Sequence, residues 1–369
     1  MAWAEKLPNG KYRGVYRDAN NKKRSAGIFA RKAEAQRQAA NKEVTNRHAP
    51  TPEAAKKMTW GQWEKRWNAS RSVANSTARS DEARLRDHVR PKWQNVPIGP
   101  ITTHDIQEWV TELTKSGMAP STVAKCYYLF SASMKQATAA NVILTNPCKG
   151  VTLPKIGPQP ERFLTDEEIS AIKISLDDFD ALVVDVLLGT GIRLGEALAL
   201  HWESVDLQRR EIRVEWSYDP VECEMKSPKD HERRVIPIGR NLTKTLKARL
   251  DAVGMGKPPQ APVIYPRNAR VHTGLVLAHT RGRPFDSSNM RHRFEASVRI
   301  AWIGKGRNRH QIGRVRLHDL RHTYASRLLE NGVPIEEVSR LLGHASVTTT
   351  MRYSHRRKGG WDRVREALD

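Results

Sequence analysis

The chain has 369 residues, of which 38% are hydrophobic and 28% are charged. That much apolar material excludes a globally disordered chain, and the length suits two or three folded domains. Its 63 Lys and Arg residues stand against 40 Asp and Glu, a formal net charge of +23, so we expect an anionic partner and above all nucleic acid.

Membrane and secreted classes are disfavoured by three further features. The sequence holds no apolar run of about 18 residues, and its start, MAWAEKLPNGKYR, is polar and unlike a secretion signal. The three cysteines, Cys126, Cys148 and Cys223, are odd in number and widely spaced, which fits neither a disulfide framework nor a zinc ribbon. We therefore expect a protein of a reducing, intracellular compartment.

Basic charge is concentrated at the start of the chain. Residues 1–57 contain 14 Lys or Arg and 5 Asp or Glu, a net charge of +9. The segments KYRGVYRD and KKRSAGIF flank a turn at 18–21 and predict a β-hairpin, while ARKAEAQRQAANKEV predicts a short basic helix. Such a module suits a DNA groove, although a solvated hairpin without a ligand is the alternative. The side chains expected to contact DNA are Tyr12, Arg13, Tyr16, Arg17, Lys22, Lys23 and Arg24.

A linker over 48–57 precedes a helical domain over about 58–152. Three tryptophans on one helical face predict its core: Trp60, Trp63 and Trp67. Further helices are predicted from STARSDEARLRDHVRPKW, which begins with a capping residue and should end at Pro91, from THDIQEWVTELTKSG and from APSTVAKCYYLFSASMKQATAANV. Two basic residues of this domain are candidates for phosphate contact or are simply solvated, Arg79 and Lys125.

After a second proline-rich linker, residues 160–369 carry six positions whose chemistry fits one site. In LLGTGIRLGEALALHW an apolar helix should break at Gly189 and Gly191, and a new helix should begin near Arg193. This places a guanidinium beside the free backbone donors of a helix N-terminus. Glu196, one turn further on, is expected to orient that arginine.

The second position is a lysine on a polar connection between two strand-like segments, IRVEWS and RRVIPI. Lys229 lies on this connection and would reach a phosphate or a leaving oxygen, with Lys226 as the rival. Helical spacing at i and i+3 brings a histidine and an arginine of RVRLHDLRHTYAS to one face. The last two positions follow a helix that stops at Gly343. These four residues are His318, Arg321, His344 and Tyr353.

Together these side chains suit phosphoryl transfer. Two arginines supply bidentate donors for a phosphodiester whose negative charge rises in the transition state. A phenol, with a pKa near ~10, becomes a nucleophile only beside a base or in a cationic pocket, and this pocket is cationic. A phosphotyrosine would store the energy of the broken bond, so neither ATP, metal nor another cofactor is expected.

The motifs GIRLGEALALHW, LHDLRHTYAS and LLGHASVTTTMRYSH, with the lysine-bearing hairpin, resemble those of the tyrosine recombinases, or phage integrase family, over about 160–357. The upstream segments resemble the arm-type and core-type DNA-binding domains of lambda-like integrases, in the style of mycobacteriophage integrases. The resemblance implies a multidomain α+β protein. It would comprise an arm-type domain of small β-sheet and helix (1–55), an all-α core-type domain (58–152) and a mainly α catalytic domain with a small antiparallel sheet (160–369).

The resemblance also implies a role for each position. Tyr353 would attack the scissile phosphate, form a 3′-phosphotyrosine and free a 5′-hydroxyl. Arg193 and Arg321 would clamp the nonbridging oxygens. Acid–base exchange with the tyrosine, protonation of the leaving 5′-oxygen and a hydrogen bond to the phosphate are assigned respectively to His318, Lys229 and His344.

The partners implied by the resemblance are double-stranded DNA with core-type and arm-type attachment sites, and three further copies of the chain on a Holliday junction. A host DNA-bending factor and an excisionase would assist integration and excision of phage DNA. The protein would act in the bacterial cytoplasm, on the nucleoid and away from membranes. The tail RKGGWDRVREALD is expected to form a short helix that docks on a neighbouring subunit through Trp361, Val364 and Leu368.

Three rival interpretations were weighed. His318 and His322 have the i, i+4 spacing of zinc ligands, but Asp319 replaces the glutamate of the protease motif and no third ligand is evident. A type IB topoisomerase would share the chemistry, yet it needs no second DNA-binding domain. A repressor or architectural protein with a dead catalytic domain would not retain an intact motif set.

Overall fold

The computed structural model describes residues 2–17, 22–47, 57–157, 161–228, 233–259, 271–278 and 283–356. The chain divides into two compact units, residues 1–158 and 159–369. Among the helices of these ranges, none is long and apolar enough to cross a membrane.

The first unit begins with a small antiparallel sheet covered by one helix. The strands, in the spatial order β1-β2-β3, are Trp3–Lys6, Tyr12–Arg17 and Lys23–Phe29, and helix α1 is Lys32–Arg47. The helix packs closely, since a Cβ at Gly14 would lie 2.5 Å from the carbonyl oxygen of Ala35. The predicted hairpin and helix are confirmed, and its turn at 18–21 lies outside the described residues. Strand β1 was not predicted, because WAEK is too short to show a period.

The rest of this unit is helical and has a separate hydrophobic core. Its helices are α2 (Trp60–Ala69), α3 (Asn75–Arg84), α4 (Arg90–Trp93), α5 (Thr103–Lys115) and α6 (Pro120–Ala139). Four rings with centroids between 4.8 and 5.7 Å apart fill the centre, those of Trp60, Trp93, Trp109 and Phe130. The indole N–H groups of Trp60 and Trp63 both donate to Ser133 at 2.9 Å. The prediction that the tryptophan stripe forms a core is therefore confirmed.

The predicted bounds of the helix in STARSDEARLRDHVRPKW were wrong at both ends. Helix α3 begins after Ala74, which provides no side-chain cap, and the helical path continues past Pro91 to Trp93. A π-helical turn over Leu85–Val89 joins α3 to α4 and widens the spiral just before the proline. Pro91 thus lies in the first turn of α4, directly after a π-helical turn whose last hydrogen bond runs from the N–H of Arg90 to the carbonyl of Leu85.

The second unit is mainly helical. Its helices are α7 (Asp166–Lys173), α8 (Asp178–Thr190), α9 (Leu194–Leu198), α10 (Arg240–Val253), α11 (Ser287–Ile300), α12 (Leu317–Glu330), α13 (Ile335–Leu342) and α14 (Val347–Thr350). A 3₁₀ helix, Met351–Arg356, follows α14. Helix α7 begins with a capping box, in which Thr165 and Glu168 bond reciprocally.

Short antiparallel strands complete this unit: β4 (Val205–Asp206), β5 (Glu211–Val214), β6 (Ser217–Asp219), β7 (Glu224–Lys226), β8 (Arg234–Pro237), β9 (Trp302–Ile303) and β10 (His310–Gln311). They form the sheet β4-β5-β8 and two hairpins, β6-β7 and β9-β10. The predicted pairing of IRVEWS with RRVIPI is confirmed as β5 with β8. The fold class is likewise confirmed as multidomain α+β, with small antiparallel sheets among helices.

The break between α8 and α9 lies at Gly191 and not at Gly189, which is still inside α8. Gly191 has φ +64°, and an added Cβ would lie 2.3 Å from Cδ1 of the Tyr324 ring. Glycine is therefore required here both for the left-handed backbone and for the close packing of α8 against α12.

We predict that Gly191→Ala lowers the stability of the second unit by about 2–5 kcal/mol. Left-handed strain costs about 1–2 kcal/mol and the overpacked ring adds about 1–3 kcal/mol. Gly306→Ala is the matched control, because Gly306 has φ +57° and an added Cβ would meet no atom within 4 Å. Calorimetric unfolding of both variants checks this, and equal shifts would contradict it.

Candidate active site

The C-terminal end of α13 collects three arginines of the second unit. The last carbonyls of an α-helix have no partner within the helix and carry the negative end of its dipole. The guanidinium groups come from β8, from α12 and from the residue that precedes α9. The acceptor and donor pairs are Leu341 with Arg234 (2.8 Å), Leu342 with Arg321 (2.6 Å) and Gly343 with Arg193 (2.8 Å).

Glu196 supplies a negative charge between two of these arginines. Its fully buried carboxylate accepts bonds of 3.1 and 2.7 Å from Arg234 and one of 3.1 Å from Arg193. Burial alone would raise the pKa of Glu196, but the hydrogen bonds and charges of Arg234 and Arg193 outweigh it and hold the pKa below its usual value. This geometry agrees with the orienting role expected of Glu196.

Arg321 is buried, with 3% of its surface exposed. Its second Nη donates to the carbonyl of Gly191 at 2.6 Å, which links α12 to the break after α8. Burial, followed by the charge of Arg193, lowers the pKa of Arg321 to about 10. The guanidinium therefore stays charged at neutral pH, held on two sides by carbonyl oxygens.

His344 follows the same helix end directly. Gly343 has φ +63° and ends α13, so His344 leaves the helix beside the arginines, and its Nδ1 lies 2.8 Å from the hydroxyl of Thr350. Burial, followed by the charges of Arg321 and Arg193, lowers the pKa of His344 to about 4. A neutral imidazole thus faces a cationic cluster that a phosphate would neutralise.

Tyr353 lies in the 3₁₀ helix after α14 and is buried, with 1% of its surface exposed. Its hydroxyl lies 2.5 Å from Nδ1 of His322, and the ring of Phe163 packs edge-on at 6.3 Å between centroids. Burial and the carboxylate of Glu161 raise the pKa of Tyr353, while the nearby cations Arg352 and Arg321 oppose that rise. The predicted nucleophile is therefore within electrostatic reach of the predicted clamp.

The predicted acid–base group His318 opens α12 at an exposed position. Its ring meets that of His322 edge-on at 4.8 Å between centroids, so His322 stands between it and the phenol. Partial enclosure of the ring and the charge of Arg321 lower the pKa of His318. A cavity of about 400 Å³ adjoins His318 and Arg321, and its further cationic lining is Arg291, Arg314 and Arg316. Such a lining suits an anionic ligand.

Two observations bear on the lysine. Lys226 ends β7 and forms a 2.6 Å ion pair with Asp219 on the neighbouring strand β6. Lys229 lies outside the described residues. The assignment of the catalytic lysine therefore stays a prediction, with Lys226 already bound to a carboxylate.

The side chains of the first unit that were predicted to contact DNA differ in their exposure to solvent. Tyr16 is buried against Ala26 and Ala39 beneath α1, so we leave it out of the proposed DNA surface. Tyr12 is half-buried. Lys23 forms a 2.6 Å ion pair with Glu5. The exposed members of the set are Arg13, Arg17, Lys22, Lys23, Arg24, Arg79 and Lys125.

Sequence reasoning passed over two residues of this cluster. Arg234 was read only as part of a strand, although a charged residue that opens a buried strand requires a partner. His322 was considered only as one of two histidines at the spacing of zinc ligands. Within the described residues, no group of three or more His, Cys, Asp or Glu side chains is placed to hold a metal ion. His322 instead binds Tyr353.

Comparison with known proteins identifies the class. The model of the phage integrase family matches residues 162–359, which is more than half of the chain. A tyrosine recombinase XerC-like protein of Caldanaerobacter subterraneus subsp. tengcongensis is 28% identical over 295 residues, 74% of this chain and 72% of its own length. Tyrosine recombinase XerC of Proteus mirabilis is 27% identical over 246 residues, 65% of this chain and 70% of its own.

Solved structures share the fold at low sequence identity. A lambda integrase tetramer bound to a Holliday junction matches with a TM-score of 0.63 and 20% identity, covering 95% of this chain and 94% of that one. The Tn1549 transposon integrase in complex with a circular intermediate DNA matches with a TM-score of 0.66 and 20% identity, over 80% and 94%. Fold and site together define an enzyme of the site-specific DNA recombinase class. The chain belongs to the phage integrase family, the tyrosine recombinases.

We predict that Glu196→Gln destabilises the second unit by about 3–5 kcal/mol, because it leaves the buried guanidinium group of Arg234 and the half-buried one of Arg193 without their counter-charge. Asp251→Asn, in the exposed pair with Lys247, is the control and should change little. The pKa of Glu196 is lowered on folding. Its contribution is therefore present above the usual pKa of glutamate and is lost as the pH falls through the lowered value. Unfolding followed between pH 3 and 7 should show a shallower acid limb for Glu196→Gln, and an unchanged limb would contradict this.

Proposed function

We propose that this protein integrates phage DNA into a bacterial chromosome, and excises it with accessory factors, through a 3′-phosphotyrosine intermediate. The observation that carries the proposal is the convergence at one helix end of the residues expected from the sequence. Arg321 and Arg193 donate to adjacent carbonyls at that helix end, and His344 follows the helix directly. The hydroxyl of Tyr353 is hydrogen-bonded to His322, the residue after Arg321. Such a set binds a phosphodiester beside a nucleophile.

The proposed strand exchange follows from this arrangement. The phenol of Tyr353 loses its proton to a base, a role that the family resemblance gives to His318. Its oxygen attacks phosphorus, the P–O5′ bond breaks, and the leaving oxygen takes a proton that we assign to Lys229. Arg193 and Arg321 stabilise the negative charge that grows on the nonbridging oxygens. A 5′-hydroxyl from a second DNA then attacks the phosphotyrosine and restores the tyrosine. The number of phosphodiester bonds is conserved, so no external energy source is required.

The two modules of the first unit are proposed to bind DNA at separate sites. The exposed basic residues of the small sheet would bind arm-type DNA, and the helical domain with Arg79 and Lys125 would bind core-type DNA. Two modules joined by a linker gain affinity through their effective concentration. We further propose a tetramer on the junction, a bacterial cytoplasmic location on the nucleoid, and a host DNA-bending factor and an excisionase as partners. The predicted tail contacts of Trp361, Val364 and Leu368 lie outside the described residues.

We predict that Tyr353→Phe abolishes covalent attachment to DNA, because it removes the attacking oxygen. The full-length protein would be incubated with nicked duplexes of randomised sequence, which trap the adduct because the cleaved end diffuses away. Covalent protein–DNA complexes would then be captured and sequenced. Tyr324→Phe is the control, since it removes a hydroxyl from a buried tyrosine of the same hydrophobic cluster. An adduct formed by Tyr353→Phe would contradict the assignment.

Supplying two copies of the captured duplex distinguishes a recombinase from a type IB topoisomerase. A recombinase joins strands from the two duplexes, whereas a type IB topoisomerase forms the adduct and only reseals the original strand. The two DNA-binding modules of the first unit favour the recombinase, because a topoisomerase needs no second, distant DNA sequence. Adduct without joined product would support the topoisomerase instead.

We predict that Lys229→Ala slows cleavage by about 10²–10⁴-fold, the usual effect of losing a general acid. Replacing the leaving 5′-oxygen by sulfur should restore the rate, because a thiolate leaves without protonation. Lys226→Ala should cleave at nearly the normal rate, since Lys226 is engaged by Asp219. The opposite pattern, with only Lys226→Ala rescued by sulfur, would move the assignment to Lys226. Single-turnover adduct formation on the captured duplex measures all four rates.

A further inference from the structure

The immediate partner of the nucleophile is a histidine outside the expected set. Nδ1 of His322 lies 2.5 Å from the hydroxyl oxygen of Tyr353, a short hydrogen bond. Both side chains are buried, His322 to 5% exposure and Tyr353 to 1%. His318, to which the sequence assigns acid–base exchange with the tyrosine, contacts the ring of His322 instead.

We propose that His322 is a further catalytic residue, whose Nδ1 holds the Tyr353 hydroxyl and takes its proton during attack on DNA. This inference rests on the proposed function, since it concerns the reaction of the same tyrosine. His322 differs from the members of the expected set in touching the reacting oxygen directly. It also lies next in the chain to Arg321, so one turn of α12 presents both the phosphate clamp and the base.

The proton and electron balance of this step is complete. The O–H bond of Tyr353 breaks and an N–H bond forms on Nδ1 of His322. The phenol oxygen forms the new bond to phosphorus, and the electron pair of the broken P–O5′ bond leaves with the 5′-oxygen. That oxygen takes a proton from the general acid. On resealing, the imidazolium of His322 returns its proton to the departing phenol oxygen.

Burial and the local charges explain why His322 can accept the proton of Tyr353. Burial, followed by the neighbouring His318, lowers the pKa of His322 to about 4, so the ring is neutral at physiological pH and Nδ1 can accept the phenol proton. The groups that face it are His318, Asp319 and Arg316 from its own helix, and Arg352 and Tyr353 from the 3₁₀ helix. An arriving phosphate and the forming phenolate both add negative charge. They raise the pKa of His322 at the moment when it must hold a proton.

A purely structural role would predict a different dependence on side-chain chemistry. A buried phenol requires a hydrogen-bond partner, and any acceptor of suitable shape would satisfy it. Asparagine places its amide oxygen near the position of Nδ1 but does not take a proton in this pH range. His322→Asn therefore retains the hydrogen bond and removes the base, whereas His322→Phe removes both.

The test measures single-turnover adduct formation by the full-length protein on the captured duplex, with an oxygen or a sulfur leaving group at the 5′ position. We expect His322→Asn to bind the duplex as the unaltered protein does and to cleave about 10²–10³-fold more slowly at pH 7. The loss should persist with sulfur, because His322 acts on the nucleophile. Without a base, the rate should rise about tenfold per pH unit below the pKa of the phenol. His272→Asn, at an exposed histidine, is the matched control.

Cleavage by His322→Asn within threefold of the normal rate would overturn the proposal. Full rescue by sulfur would also overturn it, since that result places His322 on the leaving-group side. If His322→Phe does not fold, the cleavage rate of His322→Asn alone tests the proposal. Calorimetry must first show that His322→Asn unfolds at the same temperature as the unaltered protein. Failure of the proposed function looks different, because the unaltered protein would then form no adduct with any duplex.

Discussion

The catalytic unit depends on the binding of three arginines by the C-terminal carbonyls of one short helix. Like charges repel, so Arg193, Arg234 and Arg321 require a compensating field to remain together. Three consecutive carbonyls of α13 and the buried carboxylate of Glu196 supply it. The helix dipole adds to these contacts, since its negative end faces the same cations. Each arginine is thereby fixed by hydrogen bonds before any DNA arrives.

Compensation by carbonyl dipoles leaves the cluster cationic, because among the residues that the structure describes Glu196 alone carries a full negative charge between the arginines. Burial is the main cause that lowers the pKa of His318 and brings that of His344 to about 4, and the nearby cations act in the same direction. A phosphodiester would supply the missing charge. The site is thus electrostatically incomplete without DNA, and its preorganised donors need little rearrangement when the phosphate binds.

Patterns of neighbouring residues were sufficient to predict those helices and site residues that depend on the local sequence. A capping residue and helical periodicity predicted α5, and the linked motifs predicted Arg193, His344 and Tyr353 as members of one set. Arg234 was missed because its acceptor Leu341 lies 107 positions further along the chain and no nearby pattern marks the pair. The π-helical turn before Pro91 was missed for a related reason. It resolves a conflict between a proline and tertiary packing that the local sequence does not display.

The separation of the clamp from the nucleophile has a structural origin. Arg321 and His322 are adjacent on α12, yet the first points to carbonyls of α8 and α13, and the second to the 3₁₀ helix that carries Tyr353. Successive helical positions point about 100° apart, so one turn serves two groups that must not bind each other. The proposed phosphate site is thereby built on the regular elements α9, α12 and β8, while Tyr353, the proposed nucleophile, is held by a short hydrogen bond to His322 and by a small hydrophobic cluster. Tyr353 is buried and paired with a neutral imidazole. In its proposed role as nucleophile, its reactivity would therefore depend on the charge that DNA brings to the cluster. Binding of the phosphate and activation of the phenol are then two consequences of one electrostatic change.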